Sequence, residues 1–180
     1  LGDVYKRQLH KALTECSDFL IQFGGHAYAA GFSIEKRNID VFRKSLNDVG
    51  CRFLSQEDLI PELLIDTVIG LEEITFERYR EIQRLKPFGA SNPSPVFLSK
   101  EVFVRGVRFM GQEGRHVRFQ AVQEKCSQEV VGFNLANVFR SSIIEGELMD
   151  LAYEIQINTW GGREKLQLNL LDLCPTDTDE

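Results

Sequence analysis

The feature that most constrains the fold is a series of short strand patterns between Pro95 and Cys174. Alternating apolar and polar residues predict strands, and the glycines at 111–114 and 161–162 are typical of hairpin turns. A short helix over Leu135–Ser142 is predicted between the fourth and fifth strands. About five strands with one late helix indicate a small Greek-key barrel of the OB type, with a β-sandwich as the alternative. The predicted strands are Val96–Phe97, Glu101–Phe109, His116–Gln123, Glu129–Phe133, Met149–Asn158 and Glu164–Leu173.

The first third of the chain has a different pattern, with helices on either side of a glycine-rich stretch. Apolar residues recur at helical spacing over Leu9–Phe23, and Gly24-Gly25 is predicted to end that helix. Ala29–Ile34 is typical of a short strand. Asn38 is the expected N-cap of a second helix, whose predicted inner face is Val41, Phe42, Leu46 and Val49.

A polar connector over residues 51–61 separates this region from the rest. Leu63–Ile69 is predicted to form a strand, and a helix through Leu85 is predicted to carry Ile74, Tyr79, Ile82 and Leu85 on one side. Pro87 stops that helix, because proline cannot continue it. With three prolines and a glycine, residues 86–97 are interpreted as a rigid joint before the barrel.

The first residues, the lengths of the apolar runs and the cysteine spacing argue against a signal peptide, a membrane span and a cysteine metal site. Leu1–Gln8 has no apolar signal core and fits no predicted element, so we interpret it as adapter-derived sequence at a truncated start. No run of 18 apolar residues predicts a membrane span. The four cysteines have no metal-ligand spacing and indicate a reducing, cytoplasmic location; they are Cys16, Cys51, Cys126 and Cys174.

The charge is distributed unevenly along the chain. The net charge is −6, but residues 87–144 carry seven basic and four acidic groups, which gives +3. Residues 145–180 carry two basic and nine acidic groups, so that the end of the chain is acidic, at −7. A basic centre in an acidic chain favours a polyanionic partner, because distribution matters more than the total.

Residues 23–32 hold three glycines and a histidine. Glycines let backbone N–H groups approach an anion closely, and a following histidine can add a donor. The stretch is therefore predicted to form a phosphate-facing turn. The alternative is a helix-ending Gly-Gly turn beside a buried, structural histidine.

Cations are concentrated on two neighbouring strands of the predicted barrel. Arginines beside exposed rings suit single-stranded nucleic acid, because cations follow the backbone while bases stack. The alternative is a solvated arginine face over core phenylalanines. The candidate residues are Arg105, Arg108, Arg115, His116 and Arg118, interleaved with Phe103, Phe109 and Phe119.

The last hairpin adds further candidates for nucleic-acid contact. Trp160, the only tryptophan, stands beside the turn, where it either stacks a base or packs at the hairpin tip. The polar candidates with it are Asn158, Lys165 and Gln167.

Several of these segments resemble one family. Residues 24–31, GGHAYAAG, resemble the GGHxxAAG motif of the domain that follows the DHH phosphoesterase domain. Residues 87–97 resemble the PFGxGNPxPxF segment of RecJ exonucleases, except that Ser91 stands where the family has glycine, a position that would strain serine if it requires a positive φ. His116 matches a position in the second strand of the RecJ barrel, and the Asn158–Gln167 hairpin matches motifs near the end of that barrel.

The resemblance implies an α+β chain: a partial α/β DHH-associated domain over 9–54, an OB-type barrel with an inserted helix over 55–175, and an acidic tail over 176–180. It implies the C-terminal portion of an exodeoxyribonuclease that degrades single-stranded DNA 5′→3′ in recombination and repair. Its phosphate site would be Gly24, Gly25, His26, Ala30 and Gly31. The Mn²⁺ or Mg²⁺ of the parent enzyme would be held by a DHH domain that this chain lacks, which leaves the chain inert alone.

The expected partners are single-stranded DNA, with a single-strand-binding protein or a helicase as further partners of the parent. Two alternatives stay open. One is a DHH-family oligoribonuclease or cyclic-dinucleotide phosphodiesterase, against which the barrel and the joint argue. The other is a non-catalytic single-strand-binding module.

Overall fold

The computed structural model describes the backbone of residues 2–26, 29–160 and 162–176, and their side chains except at positions 2–8, 26, 57 and 160. Two compact units divide between Leu63 and Leu64. Each unit has its own apolar core.

The first unit contains two helices and a β-hairpin. Helix α1 is Gly2–Glu15, strand β1 is Leu20–His26, strand β2 is Ala29–Ile34 and helix α2 is Ile39–Phe53. The two strands pair antiparallel. The buried residues of this core are Leu13, Cys16, Phe42 and Val49.

The prediction of one helix over Leu9–Phe23 was wrong at both ends. Helix α1 ends at Glu15, Ser17–Phe19 forms a 3₁₀ turn, and the chain continues as β1. Ser17 and Asp18 favour turns over helix interiors because their side chains compete for backbone hydrogen bonds. Gly24 and Gly25 consequently lie inside a strand, and the expectation that they form a turn after a helix is corrected.

Three other predictions in this unit differ from the structure wholly or in part. The backbone of residues 2–8 belongs to α1 rather than to no element. Asn38 occupies the N-cap position of α2, but its Nδ2 donates to the Phe19 carbonyl at 3.3 Å and does not cap the helix. Val41 is 54% exposed, so the buried face of α2 is narrower than predicted.

The second unit is a closed five-stranded barrel. Its strands are β4 (Phe97–Met110), β5 (His116–Gln123), β6 (Cys126–Gly132), β7 (Leu148–Trp160) and β8 (Arg163–Pro175). They are hydrogen-bonded in the order β4-β5-β6-β8-β7, and β7 pairs back onto β4 to close the barrel. The β6–β8 pair is parallel and the other barrel pairs are antiparallel. This topology is the predicted Greek-key OB barrel and not a sandwich.

Strand β4 is continuous where the sequence suggested two strands, Val96–Phe97 and Glu101–Phe109. Two bulges bend it, one between Ser99 and Val102 and one between Arg105 and Arg108. Glu101 and Gly106 adopt φ values of +54° and +65° at these bulges. Asp150 Oδ1 accepts a hydrogen bond from the Glu101 N–H at 3.0 Å and so holds the first bulge.

The inserted helix is shorter than predicted. Helix α4 is Ala136–Phe139, whereas the sequence suggested Leu135–Ser142. Phe139, in this single helical turn, belongs to the barrel core. The helix, which follows β6 and precedes β7 in the sequence, therefore contributes to the core even though it is short.

The segment leading into the barrel holds a short strand, a helix and the proline-rich joint. Of the predicted strand Leu63–Ile69, only β3 (Thr67–Val68) forms, and it pairs parallel with the start of β4. Helix α3 is Phe76–Gln83. The prediction of a helix through Leu85 was wrong at its end, and Leu85, which follows the helix, is exposed.

The joint is fixed by Asn92. Its Nδ2 donates to the Leu85 carbonyl at 2.8 Å and to the Pro87 carbonyl at 3.0 Å. The Lys86–Pro87 peptide bond is cis. Ser91 does not adopt a positive φ, so serine is accommodated here without the strain considered from the sequence.

The barrel core contains one buried polar network. The Ser99 hydroxyl donates to the Ile69 carbonyl at 2.8 Å, which leaves its lone pairs for the Tyr153 hydroxyl at 2.7 Å. Burial raises the pKa of Tyr153 to about 12; the Ser99 hydrogen bond opposes this shift, and the Glu73 carboxylate adds to it. The network links β4 to β7, the pair that closes the barrel.

The raised pKa of Tyr153 predicts a loss of stability at high pH. An unfolded tyrosine ionises near pH 10, whereas the folded one keeps its proton until about pH 12. The unfolded state therefore binds fewer protons between these values, and the free energy of unfolding falls by roughly 2–3 kcal/mol as pH rises through this window.

Chemical denaturation at pH 9 and pH 11.5 measures this loss, with Tyr153→Phe as the control. The variant gives up one hydrogen bond, about 1 kcal/mol, but Ser99 still satisfies Ile69. Its stability should fall less than that of the native chain over the same pH interval. An identical fall in both proteins would rule out Tyr153 as the source.

Candidate nucleic-acid interface

The glycine-rich hairpin presents bare backbone on one of its faces. Gly24 pairs with Gly31 across the strands, and a Cβ added at either position would meet nothing within 4 Å. A recess of about 370 Å³ lies over this pair, with Gln22 and Ser33 at its polar edge. Packing within the described chain would thus allow a side chain at either position. With glycine at both, the backbone groups of the two strands stay accessible.

The neighbouring pair serves the fold of the hairpin. A Cβ on Gly25 would contact the Ala29 carbonyl and approach Ala30 Cα to 2.6 Å. Ala30 is half-buried against the core of the first unit. Gly25 pairs with Ala30, so these two positions share the face opposite Gly24 and Gly31. Gly25 itself is exposed, and its lack of a Cβ keeps it clear of the backbone of the opposite strand.

The five residues predicted to bind phosphate are consequently divided between two faces. On β1, the backbone of His26 pairs with Ala29, two positions beyond the Gly24–Gly31 pair. The His26 side chain and residues 27–28 lie outside the described part of the chain.

In the barrel, three arginines lie on the outer face of β4 and β5. Arg108 is directly opposite Arg118, and Arg105 is opposite Gln120. All three arginines are exposed, whereas Val117 and Phe119, which flank Arg118 on β5, are buried in the core. Arg105, Arg108 and Arg118 are hereafter called the arginine face.

One carboxylate is embedded beside the arginine face. Glu129 on β6 forms an ion pair with Arg118 and accepts a hydrogen bond from Gln167 Nε2 at 2.7 Å. Within the described residues, Arg105 and Arg108 form no ion pair. Glu129 thus neutralises one arginine of the face and leaves two.

The interleaved phenylalanines have different environments. Phe119 is buried in the core, as the structural alternative predicted. Phe103 is half-buried, and the Arg105 guanidinium lies 5.0 Å from the centre of its ring. Phe109 is covered by Arg140 at 4.1 Å, so two of the three rings carry a cation on their face.

The remaining candidates of this strand pair lie at its end. The Arg115 side chain turns back to the Gln112 carbonyl at 3.3 Å. His116 Nδ1 accepts a hydrogen bond from the Asn134 N–H at 2.9 Å, so the proton of the neutral ring is on Nε2. Both residues border the turn that joins β4 and β5, next to the arginine face.

The last hairpin extends the same outer surface. Gln156 pairs with Gln167 and Asn158 with Lys165, so these four side chains share one face of β7 and β8. Gln167 connects that face to the arginine face through Glu129. The Trp160 side chain, predicted to stack a base or to pack at the tip, lies outside the described residues.

Sequence reasoning missed two residues of this surface. Glu129 had a usable signal, since strand alternation from the buried Val130 places it outward beside Gln120. Arg140 had none, because its position over Phe109 depends on how α4 packs against the barrel.

Two further observations bear on other classes of site. The His, Cys, Asp and Glu side chains of the described residues form no group of three or more placed to hold a metal ion, so these residues do not fit the divalent cation that the resemblance implies. No helix in the described part of the chain is long and apolar enough to cross a membrane.

Comparison with known proteins identifies similar sequences and a similar structure. The RecJ OB domain family matches residues 65–172. The single-stranded-DNA-specific exonuclease RecJ of Bacillus subtilis is 35% identical over 169 residues, which are 94% of this chain and 21% of that protein. The RecJ of Thermus thermophilus is 24% identical over 91% of this chain and 22% of its own length.

A crystal structure agrees with the fold. RecJ from Thermus thermophilus in complex with Mn²⁺ superposes with a TM-score of 0.74 at 23% identity, covering 93% of this chain and 24% of that one. The chain spans between 21% and 30% of the curated relatives it matches. Since the family match covers more than half of its residues and the barrel has the corresponding topology, the chain belongs to the RecJ OB domain family.

Proposed function

We propose that this chain is the substrate-handling portion of a single-stranded-DNA-specific 5′→3′ exonuclease that acts in recombination and repair. In this proposal the barrel binds single-stranded DNA across the arginine face. OB barrels bind oligonucleotides on the face of their second and third strands and with the loops beside it. In this chain those strands are β5 and β6, which carry Arg118, Gln120 and Glu129.

The observation that carries the proposal is the pairing of Arg108 with Arg118. Like charges directly opposite each other on neighbouring strands destabilise a sheet. Two such arginines, with Arg105 beside them, are favourable when an anion lies between them. Only Arg118 has a carboxylate partner among the described residues, so a phosphate backbone would complete the neutralisation.

The surroundings of the arginine face suit a single strand better than a duplex. Phe103 offers a partly exposed ring next to Arg105, and stacked bases on aromatic rings contribute about 1–3 kcal/mol each. Asn158 and Lys165 extend the polar surface along the last hairpin. In a duplex the faces of the bases are stacked on each other, so they cannot stack on the Phe103 ring.

The glycine hairpin is proposed as a second contact for substrate phosphate. Gly24 and Gly31 carry this part of the proposal, because their backbone is accessible below the recess. His26 is proposed to add a donor two positions further along β1. Gly25 and Ala30 are assigned to shaping the hairpin.

Hydrolysis itself is proposed for the parent enzyme. Solved structures of relatives include RecJ in complex with Mn²⁺ or Mg²⁺, and a divalent ion bound in the parent would activate water and stabilise the charge on the phosphate. The described residues of this chain do not fit that ion. A single-strand-binding protein or a helicase as a further partner stays a prediction of the resemblance.

Removing the opposed arginines should weaken binding to single-stranded DNA. Arg108→Ala and Arg118→Ala should each lower the affinity about tenfold, because each loses a charge-assisted contact. Each should also reduce the slope of log affinity against log salt by about 0.7, the value for one phosphate contact on a single strand. Fluorescence anisotropy with a labelled oligonucleotide over a salt series measures both quantities.

Arg43→Ala is the matched control, since Arg43 is an exposed arginine on α2, paired with Asp40. Its affinity and salt slope should equal those of the native chain. Binding that prefers duplex DNA, or that is unaffected by both arginine substitutions, would contradict the proposal.

Glu129 should limit the affinity of the arginine face. Glu129→Gln removes the charge that competes with phosphate for Arg118 and keeps an acceptor for Gln167. The affinity for single-stranded DNA should therefore rise severalfold, mainly through slower dissociation, while the salt slope becomes steeper. Stopped-flow displacement of a labelled oligonucleotide measures the dissociation rate, and weaker binding by this variant would contradict the assignment of Glu129 as a competitor.

A further inference from the structure

A second recess lies on the outer surface of the barrel, one strand beyond the arginine face. It has a volume of about 340 Å³, at the lower end of the range for small-molecule sites. Residues that follow β6, together with residues of β7 and β8, form its wall. The lining residues are Phe133, Leu135, Gln156, Asn169, Leu170 and Leu171.

Phe133 presents an aromatic surface at this recess. It is 52% exposed, although phenylalanine is among the residues most often buried. The His116 ring contacts it edge-on, with the ring centres 5.5 Å apart and the planes at 68°. His116 is itself held by the Asn134 N–H, so the phenylalanine has a fixed neighbour on one side and space on the other.

Two carboxamides supply the polar part of the recess. The half-buried Asn169 side chain makes no hydrogen bond within the described residues. Gln156 Nε2 donates to Glu154 Oε2 at 3.3 Å, which leaves the Gln156 carbonyl oxygen available. A flat ring beside one free amide and one free acceptor matches a planar heterocycle that has donors and acceptors on its edge.

The charges near the recess favour a base over a phosphate. No cation lines it, and the Glu154 carboxylate stands next to Gln156. The arginine face lies nearby on the same surface, because Arg118 pairs with Val131 and Val131 pairs with Asn169. Two strand spacings of about 4.8 Å therefore separate the row of Arg118 from that of Asn169.

We propose that this recess is a nucleobase subsite, in which Phe133 stacks one base of a single strand while Asn169 and Gln156 contact its edge. The inference rests on the proposed function and adds to it a place where the strand is held through a base and not through its charge. A strand whose phosphates lie along the arginine face would direct a base across β6 into the recess. Phe133 is then a binding residue that is independent of the salt-sensitive contacts.

The test separates base contacts from phosphate contacts. The 180-residue chain is titrated with two labelled probes of about 16 nucleotides, the upper site size for one OB fold. One probe is oligothymidylate, and the other is an abasic strand of the same length. Phe133→Ala should lower the affinity for oligothymidylate about tenfold, leave the affinity for the abasic strand unchanged, and keep the native salt slope.

Two variants control for the ring and for folding. Phe133→Tyr keeps the aromatic face and should bind both probes as the native chain does. Val138→Ala removes another exposed apolar side chain, 61% exposed on α4 and outside the recess, and should change nothing. Thermal melts by circular dichroism establish that each variant is folded.

The outcomes distinguish the two proposals. Equal affinity of the native chain and Phe133→Ala for oligothymidylate, with salt-dependent binding intact, would overturn the base subsite and leave the arginine face in place. An equal loss for both probes would also overturn it, since the effect would not require a base. Failure of the native chain to bind either probe would overturn the subsite together with the proposed function.

Discussion

The barrel depends on the bending of β4. This one strand pairs with β5 along its second half and with β7 along its first half, and the barrel closes only because it does both. Two bulges provide the bend, since an extra residue on one strand increases its local twist and curvature. Asp150 reinforces the first bulge by accepting both the Glu101 N–H and, at 2.7 Å, the Thr176 hydroxyl. The Ser99–Tyr153 hydrogen bond links the same pair of strands from inside the core.

The second bulge also creates the arginine face. Residues 105 and 108 are three positions apart, so a regular strand would direct them to opposite faces. Strand β4 advances three residues between its partners Gln120 and Arg118, while β5 advances two. The extra residue returns Arg108 to the outer face beside Arg105, and Gly106 adopts the positive φ that this requires. The bulge that curves the barrel thus also brings Arg105 and Arg108 onto the same face.

The resulting surface carries three arginines that attract phosphate and one carboxylate that weakens this attraction. Three arginines on one face favour a phosphate backbone, yet Glu129 occupies one of them and also binds Gln167. In the proposed function, a strand that moves along this face benefits from contacts that release it again. In the proposed function, the arginine face supplies the charge, Glu129 limits it, and the Phe133 recess holds a base.

The sequence predicted the features that follow from local pattern. The strand His116–Gln123 and the strand Ala29–Ile34 have the predicted bounds, and the barrel with its inserted helix was confirmed. Leu20–Phe23 was misassigned because its apolar residues fit a helical period, while pairing with β2 makes it a strand. The division of the glycines between two faces, the common face of Arg105 and Arg108, and the exposure of Phe133 depend on register and packing, which no local pattern contains.

A backbone-amide NMR titration of the chain with oligothymidylate tests most directly whether the barrel binds single-stranded DNA across the arginine face, because it maps the binding surface without altering any residue. We expect the largest shift changes on β4, β5 and β6 around Arg105, Arg108, Arg118 and Glu129. Changes confined to α1 and α2, or no change at saturating oligonucleotide, would contradict binding at this surface.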